Sequence, residues 1–231
     1  MNLLAFDTST EILRVAVQAA HGVRAEHEAA GGAHASASLI PVIQSLLARC
    51  GLRLAQLDAI VFGRGPGSFT GLRTACSVAQ GLAFGAGVPV LGVETLLAVA
   101  EDARQRSGAE RVLAMLDARM HEVYAARYIH EANGWRREGP ITLGAPGQLQ
   151  VPPDWALAGN VFGEYGERIA PAAARIEAAP TAQALLRLAP ALIADGQAQP
   201  ADRATPLYIR DKVAQTTEER AALRAAARPS P

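Results

Sequence analysis

The sequence has few cysteines, and their scarcity excludes several classes of protein. Only Cys50 and Cys76 are present, and they form no CxxC pair, so neither a disulfide framework nor a structural zinc site is predicted. The residues before Asp7 include no basic segment, which argues against a secretory signal peptide. We therefore expect a cytoplasmic protein with reduced thiols.

A long uninterrupted apolar run is also missing. Residues 74–93 carry no charge, but Gly81, Gly85, Gly87 and Pro89 interrupt them. This pattern is typical of a buried helix followed by a buried strand, and not of a membrane span. No membrane contact is predicted.

The chain has no excess of charge of either sign. Lys plus Arg number 22 and Asp plus Glu number 22, so the formal net charge is +0. A protein that holds a phosphate backbone unaided needs a basic surface. Contact with RNA is therefore expected to be local or to depend on a partner.

Common catalytic motifs are absent as well. There is no G-x-S-x-G elbow, and no G-K-[ST] follows the glycines at residues 65–71. The five histidines show no i, i+4 spacing that would place a metal on one helical face. We name no catalytic residue and no metal site.

The apolar periodicity predicts an α/β protein with mixed sheets flanked by helices. About half of the residues, 50%, are apolar, which is enough to build a substantial core. The predicted elements of the first part are strands at 2–6, 12–18 and 23–28, a helix at 38–50 with Pro41 in or near its first turn, a strand at 58–63, a helix at 70–84, a strand at 88–93 and a helix at 96–106.

A second unit is predicted to begin near residue 108. Its expected elements are strands at 112–116 and 122–128, a loose Gly/Pro-rich stretch at 134–153, a strand at 155–158 and helices at 165–169 and 182–194. We predict an N-terminal lobe over 1–107, a smaller C-terminal lobe over 108–215 and an amphipathic turn and tail over 216–231. Strands that end in Asp-Thr-Ser at residue 7 and in Asp-Ala-Arg at residue 117 give a weak indication of internal duplication.

The segment from Gly65 to Arg73 places a tight turn where a strand leads into a helix. Backbone N–H groups at such a junction, with the helix dipole, are able to hold an anion. The candidates there are Gly65, Gly67, Ser68 and Thr70. The alternative is an ordinary turn with Ser68 or Thr70 as N-cap, which local chemistry alone favours.

Two further strand ends carry candidate nucleotide- or anion-binding residues. Asp7 could position a hydrated magnesium ion while Thr8 and Ser9 face a phosphate, or the three could simply form a turn. Asp117 and Arg119 fit a structural ion pair as readily as a role in a site.

The helix predicted at 70–84 carries a ridge of small residues at a spacing of four. Gly71, Ala75, Ala79 and Ala83 form this ridge, and an apolar stripe of Leu72, Cys76 and Phe84 lies beside it. Either the chain's own sheet or another subunit would cover these faces, and the sequence favours neither. The earlier helix adds further candidates for a partner interface: Leu39, Val42, Ile43 and Leu46.

Several segments together resemble the TsaB (YeaZ) family across almost the whole chain. They are Leu4-Ala-Phe-Asp-Thr-Ser9, His34 to Ile43, Gly65-Pro-Gly-Ser-Phe-Thr-Gly-Leu-Arg73, Asp117-Ala-Arg119 with Val123-Tyr124, and Leu207-Tyr-Ile-Arg210. The resemblance implies a two-lobed fold of the actin, hexokinase and Hsp70 type (ASKHA, ribonuclease H-like), with the second lobe reduced.

The resemblance also implies a function. In this family the protein is a non-catalytic, cytoplasmic subunit that binds and activates TsaD, which transfers threonylcarbamoyl to N6 of adenosine 37 in tRNAs reading ANN codons. TsaE is the ATPase of the system, and a homodimer is expected when TsaD is absent. Contact with tRNA is implied only through the complex. The family's helices that correspond to residues 38–50 and 70–84 form the subunit interface.

This sequence differs from the catalytic paralogue TsaD in ways that agree with a non-catalytic subunit. TsaD-like proteins carry an H-x-x-x-H metal pair at the level of Leu97 to Glu101, where this chain has no histidine. The glycines usual in the phosphate hairpins are absent after Asp7 and Asp117, so no tightly bound cofactor is expected, and ATP or ADP would lie at the partner interface. The alternatives are a glycoprotease-like peptidase, a degenerate kinase of the same fold, or a homodimeric scaffold unrelated to tRNA.

Overall fold

The structure is a computed structural model that describes residues 1–32, 35–169 and 174–210. Two five-stranded sheets form its two lobes. The strands are β1 Leu3–Asp7, β2 Ile12–Gln18, β3 Arg24–Ala30, β4 Ala59–Gly65, β5 Val90–Glu94, β6 Arg111–Asp117, β7 Val123–Glu131, β8 Gly134–Gly144, β9 Ala156–Gly159 and β10 Arg175–Glu177. The helices are α1 Ala35–Arg49, α2 Phe69–Ala86, α3 Thr95–Ser107, α4 Phe162–Tyr165 and α5 Ala182–Ala194.

Both sheets have the same strand order, which supports the predicted duplication. The first runs β3-β2-β1-β4-β5 and the second runs β8-β7-β6-β9-β10. In each, an antiparallel three-strand meander is followed by two strands parallel to its first strand. The mixed α/β, two-lobed fold expected from the sequence is confirmed.

Helices cover both faces of the first sheet. Alternate side chains of its strands, such as Phe6, Ile60 and Phe62, pack under α1 and α2, while the intervening ones, such as Leu3 and Val61, face α5. Each fully buried side chain of this size contributes about 1.5–3 kcal/mol to folding. The periodicity of two along the strands therefore sets which helix meets which face.

Two helices lie between the lobes. Leu96, Val99 and Ala103 of α3 share a cluster with the second sheet, whereas Leu185 and Ala189 of α5 share one with the first. The assignment of the whole span 108–215 to the second lobe is therefore wrong for α5. Within the described ranges, no helix has both the length and the hydropathy that crossing a membrane requires.

Three local predictions need correction or lie outside the description. The stretch at 134–153 is not loose throughout, because β8 occupies its first eleven residues. Helix α1 begins at Ala35, so Pro41 lies inside it and not in its first turn, on the exposed side, where water can solvate the carbonyl that loses its N–H partner. His34 and the predicted tail at 216–231 lie outside the described residues.

Candidate functional site

The carboxyl group of Asp7, at the end of β1, is completely buried. Its Oδ1 accepts hydrogen bonds from the Ser9 backbone N–H at 2.9 Å and from the Ser9 hydroxyl at 2.6 Å. Its Oδ2 has no hydrogen-bond partner among the described residues and faces Gly63, where a Cβ atom would lie 1.8 Å from it. Burial raises the pKa of Asp7 to about 6, and the Ser9 hydrogen bonds oppose this rise. A sealed carboxyl offers no surface to a hydrated cation, so the structure contradicts the magnesium role predicted for Asp7.

The turn after β1 closes on the N-terminus of α2. The Thr8 hydroxyl donates to the carbonyl oxygen of Gly71 at 2.6 Å, and the Ser68 N–H donates to that of Ser9 at 2.8 Å. A Cβ atom on Gly71 would lie 1.8 Å from the Thr8 carbonyl oxygen, and one on Gly67 would lie 2.7 Å from the Ser9 Cβ. Both glycines are therefore required by the close approach of the two turns. The Thr8 hydroxyl donates within this contact and the Ser9 hydroxyl donates to Asp7, so neither hydroxyl is left to donate to a phosphate.

One of the first amides of α2, that of Gly71, is satisfied by the N-cap side chain. Ser68 is the N-cap, and its hydroxyl oxygen accepts a hydrogen bond from the Gly71 N–H at 3.4 Å. Thr70 is exposed, and its carbonyl oxygen accepts a hydrogen bond from the Thr74 hydroxyl at 3.0 Å. The ordinary strand-to-helix turn, left open as the alternative from the sequence, is the arrangement present, and it leaves fewer free N–H groups for an anion.

Gly65 serves a packing role at the end of β4. Its φ of +123° is accessible to glycine, and its N–H donates to the Thr95 hydroxyl at 3.1 Å. A Cβ atom there would lie 2.5 Å from the carbonyl oxygen of Leu207, whose own N–H donates to the Arg64 carbonyl at 2.7 Å. The absence of a side chain at Gly65 thus leaves room for the segment around Leu207. Packing alone therefore accounts for a glycine at this position.

A cleft of about 640 Å³ separates the lobes at the ends of β1 and β6. The predicted binding residues that line it are Ser9, Gly67, Ser68, Asp117 and Arg119. Those outside its lining are Asp7, Thr8, Gly65 and Thr70. The structure therefore brings together about half of the predicted set in one cavity. Within the described ranges, no group of three or more His, Cys, Asp or Glu side chains is arranged to hold a metal ion.

The side chains of Asp117 and Arg119 form hydrogen bonds and ion pairs within this cleft. Asp117 Oδ1 accepts hydrogen bonds from the Tyr165 hydroxyl at 2.6 Å and from the Arg119 N–H at 2.9 Å, and its Oδ2 lies 3.3 Å from Arg119 Nη1. The Arg119 guanidinium also pairs with Glu11 of the first lobe, whose hydrogen bond and charge raise the pKa of Arg119. The structural ion pair, one of the two sequence-based alternatives, is therefore present.

Sequence reasoning missed several residues that line the cleft or fix its geometry. They are Glu11, Arg14, Asn160 and Tyr165. Glu11 directly follows the Asp-Thr-Ser-Thr run, and Asn160 and Tyr165 follow β9, which in the duplicated order corresponds to β4. The repeated strand order is the sequence signal that points to both places.

The predicted partner interface is wrong for nearly all of its members. Val42 is half-buried, and the others are buried inside this chain: Leu39, Ile43, Leu46, Gly71, Leu72, Ala75, Cys76, Ala79 and Ala83. The small residues let α2 lie close to the first sheet, where Ala75, Ala79 and Ala83 share one cluster with Ile60 and Phe62. The ridge is thus the inner face of α2, and a partner would have to use its outer face.

The outer flank of α1 and α2 does expose apolar groups. We define this flank by Ile40 and Gln44 of α1 and Ser77, Gly81 and Phe84 of α2, all of which are exposed. Phe84 is 82% exposed and Ile40 is 40% exposed. An aromatic ring left almost fully in water on a helix surface is typical of a protein interface.

Comparison with known proteins identifies the family. A family model described as TsaD, tRNA N6-adenosine threonylcarbamoyltransferase, matches residues 14–137. The tRNA threonylcarbamoyladenosine biosynthesis protein TsaB of Escherichia coli is 36% identical over 224 residues, which cover 93% of this chain and 96% of that protein. The protein of the same name from Haemophilus influenzae is 46% identical over 131 residues, 57% of this chain and 55% of that protein.

A solved structure agrees with these relatives. YeaZ from Pseudomonas aeruginosa superposes with a TM-score of 0.83 at 40% identity, covering 90% of this chain and 99% of that one. The agreement in sequence and fold extends through both lobes. The chain therefore belongs to the TsaB (YeaZ) family.

Proposed function

We propose that this protein is the non-catalytic subunit that binds and activates a TsaD-type threonylcarbamoyltransferase. The complex modifies N6 of adenosine 37 in tRNAs reading ANN codons. Family membership supports this proposal, because the relatives are named tRNA threonylcarbamoyladenosine biosynthesis proteins. A TsaE-type ATPase is the third component, and tRNA meets this chain only within the complex.

The exposed aromatic ring on the outer flank of α1 and α2 is the observation that carries the proposal. Phe84 is 82% exposed, although burying such a ring stabilises a contact by about 1.5–3 kcal/mol. Its neighbours Ser77 and Gly81 are small and exposed, so another helix is able to approach this side of α2 closely. In the absence of TsaD, the same flank pairs with a second copy of the chain.

A non-catalytic role agrees with the state of the cleft. The Asp7 carboxyl is sealed, and the Asp117 and Arg119 side chains are engaged with each other and with neighbouring groups. A peptidase needs an activated nucleophile or a metal, and a kinase needs open phosphate loops. Neither the peptidase nor the kinase alternative finds support in this geometry. ATP or ADP is proposed to bind only where the partner subunit completes the site.

Reconstitution tests the proposal. The chain is combined with TsaD and TsaE from the same organism, threonylcarbamoyl-adenylate and tRNA, and modified adenosine is measured with and without the chain. We expect modification to depend on the chain. Equal modification in its absence would show that the assigned function is wrong.

A substitution on the flank tests the interface separately. Phe84→Glu places a charge in the proposed contact, so we expect at least about a tenfold loss of both TsaD binding and stimulation. Val23→Glu is the matched control, because Val23 is also exposed, at 42%, but directly precedes β3, an edge strand of the first sheet. Both variants should keep the wild-type circular dichroism spectrum and melting temperature. Unchanged TsaD binding by Phe84→Glu would exclude this flank as the docking surface.

A further inference from the structure

A second polar cavity lies at the outer edge of the first sheet, away from the interlobe cleft. Its volume is about 420 Å³, and it is bounded by β5, by the segment at 196–205 and by the strands β7 and β8. Of the residues that the structure describes, none lines both this cavity and the interlobe cleft. None of the five residues that define the outer flank of α1 and α2 lines it. A ligand in this cavity would therefore compete with neither feature.

Arg64 enters this cavity without a counterion. It is half-buried, and its Nε is fully covered and has no hydrogen-bond partner in the described part of the chain. No carboxylate of the described residues forms an ion pair with its guanidinium. Its side chain lies over Gly92 of β5, where a Cβ atom would be 3.1 Å from the Arg64 Cδ. A glycine at this position thus leaves the space in which an unpaired cation is held.

The charges around the cavity do not cancel. Among the described residues, Glu94 is the one carboxylate in its lining, and it accepts hydrogen bonds from Arg137 at 2.5 Å and from the Tyr128 hydroxyl at 2.8 Å. The negative charge of Glu94 is thereby neutralised by Arg137. Arg203 lines the same cavity, is exposed and forms no ion pair with any described residue. Two positive charges, on Arg64 and Arg203, are left facing one concave polar space.

We propose that this cavity binds the phosphate group of a small phosphorylated molecule. Guanidinium groups bind phosphate oxygens through paired, charge-assisted hydrogen bonds, and a partly desolvated arginine without a carboxylate is suited to such a ligand. The amides of Gln197 and Gln199 and the hydroxyl of Thr205 line the remaining wall and provide donors and acceptors for the rest of the molecule. The volume exceeds what a phosphate group alone would fill.

Calorimetric titration of the full chain with inorganic pyrophosphate at low ionic strength tests the proposal, with citrate as an anion that lacks phosphorus. We expect pyrophosphate to bind the wild-type chain, and Arg64→Gln to weaken binding by at least about tenfold. Arg203→Gln, at an exposed position, should weaken it by about threefold. Arg24→Gln is the matched control, because it removes the same charge from β3, the opposite edge strand of the sheet.

The outcomes separate clearly. Binding that is unchanged in Arg24→Gln, reduced in the two cavity variants and at least about tenfold weaker for citrate supports a phosphate site. Should Arg64→Gln fail to fold, Arg203→Gln decides. The proposal is overturned by an absence of pyrophosphate binding at millimolar concentration, by equal binding of citrate, or by cavity variants that bind like the wild type.

Discussion

The two lobes share one strand order but differ in the segments that connect the parallel strands. In the first lobe, β3 leads to β4 through α1 of 15 residues, and β4 leads to β5 through α2 of 18 residues. In the second lobe, the corresponding connections contain a 3-10 turn at Pro146–Gln148 and the four-residue α4. The duplicated sheet was therefore kept, while the helices that cover its outer face were kept on one copy only.

The consequence is a division of roles between the lobes. The first lobe presents two long helices, and they carry the exposed flank proposed to meet a partner. The second sheet is covered on the corresponding side by a small cluster that includes Trp155, Val161, Tyr165 and Ile169. We infer that the second lobe mainly supports the first through α3 and α5, which lie between the sheets.

The equivalent strand ends also differ in how they are stabilised. Asp7, at the end of β1, is sealed by Gly63 of β4 and by the hydroxyl of Ser9. Asp117, at the end of β6, keeps 21% of its side chain exposed and is held by Tyr165 and Arg119. The turn after β1 (the first turn) therefore depends on close packing. The turn after β6 (the second turn) depends on polar contacts. Substitutions should separate these two cases.

Close packing of the first turn predicts the largest effect. Gly71→Ala places a Cβ atom 1.8 Å from the backbone carbonyl oxygen of Thr8, so one of the two turns must move. We expect a loss of more than about 3 kcal/mol in the free energy of unfolding, measured by urea denaturation. Gly81→Ala on the same helix is the control, because nothing lies within 4 Å of its Cβ position. Alanine there should stabilise the helix by about 0.5–1 kcal/mol. Equal effects of the two variants would contradict the close approach.

Burial of Asp7 predicts a pH dependence that belongs to the first lobe. Its pKa is raised to about 6 by burial, against a usual value of 3.8, so the protonated carboxyl is favoured in the folded state. The stability that this provides is complete below about pH 4 and is lost as the pH rises through about 6, for a total of about 3 kcal/mol. We expect Asp7→Asn to lack this loss, measured as unfolding free energies from pH 4 to 7. A difference in unfolding free energy between variant and wild type that stays constant over that pH range would exclude a raised pKa of Asp7.

Sequence patterns predicted the meander, the alternating helices and the bounds of β2 and α5 well, because those segments have strong periodicity. The strand β8 was missed because Gly139, Pro140 and Gly144 mark loops. Among the described strands it lies at the sheet edge and pairs with β7 alone. The pairing register shifts between Ala125 and Arg127, opposite the Gly139-Pro140 pair. Proline is tolerated at edges and irregularities of this kind. Only the tertiary pairing reveals that a strand is present.

At the candidate site, the sequence pattern did not show which surfaces lie against each other. A spacing of four in α2 identified a coherent face, but periodicity alone does not say whether the chain's own sheet or another protein covers it. Likewise, the composition of the two turns suggested a phosphate site, whereas the approach of Thr8 to Gly71 closes it. Such contacts join residues about sixty positions apart, and nothing local in the sequence encodes their distance.

The second turn should respond to loss of a polar contact. The guanidinium of Arg210 donates to the Ala118 carbonyl oxygen at 3.0 Å and to Glu122 at 2.7 Å, with its side chain 16% exposed. Arg210→Gln is expected to lower the free energy of unfolding by about 1–2 kcal/mol. Arg136→Gln, which removes an exposed ion pair with Glu131, is the control and should unfold like the wild type. Equal stability of both variants would mean that the second turn does not depend on this contact.

The ion pair between the lobes should have the smallest effect. Glu11 and Arg119 are 80% and 68% exposed, so water and salt screen their attraction. We expect Glu11→Gln to change the free energy of unfolding by no more than about 0.5 kcal/mol, and to abolish what little salt dependence the pair confers. The lobes are instead held by the apolar faces of α3 and α5, which salt does not weaken. The measurement is urea denaturation at low ionic strength. A loss of several kcal/mol in the free energy of unfolding would show that charge holds the two lobes together. The contact between the lobes would then depend on polar contacts, as the second turn does, and not on packing.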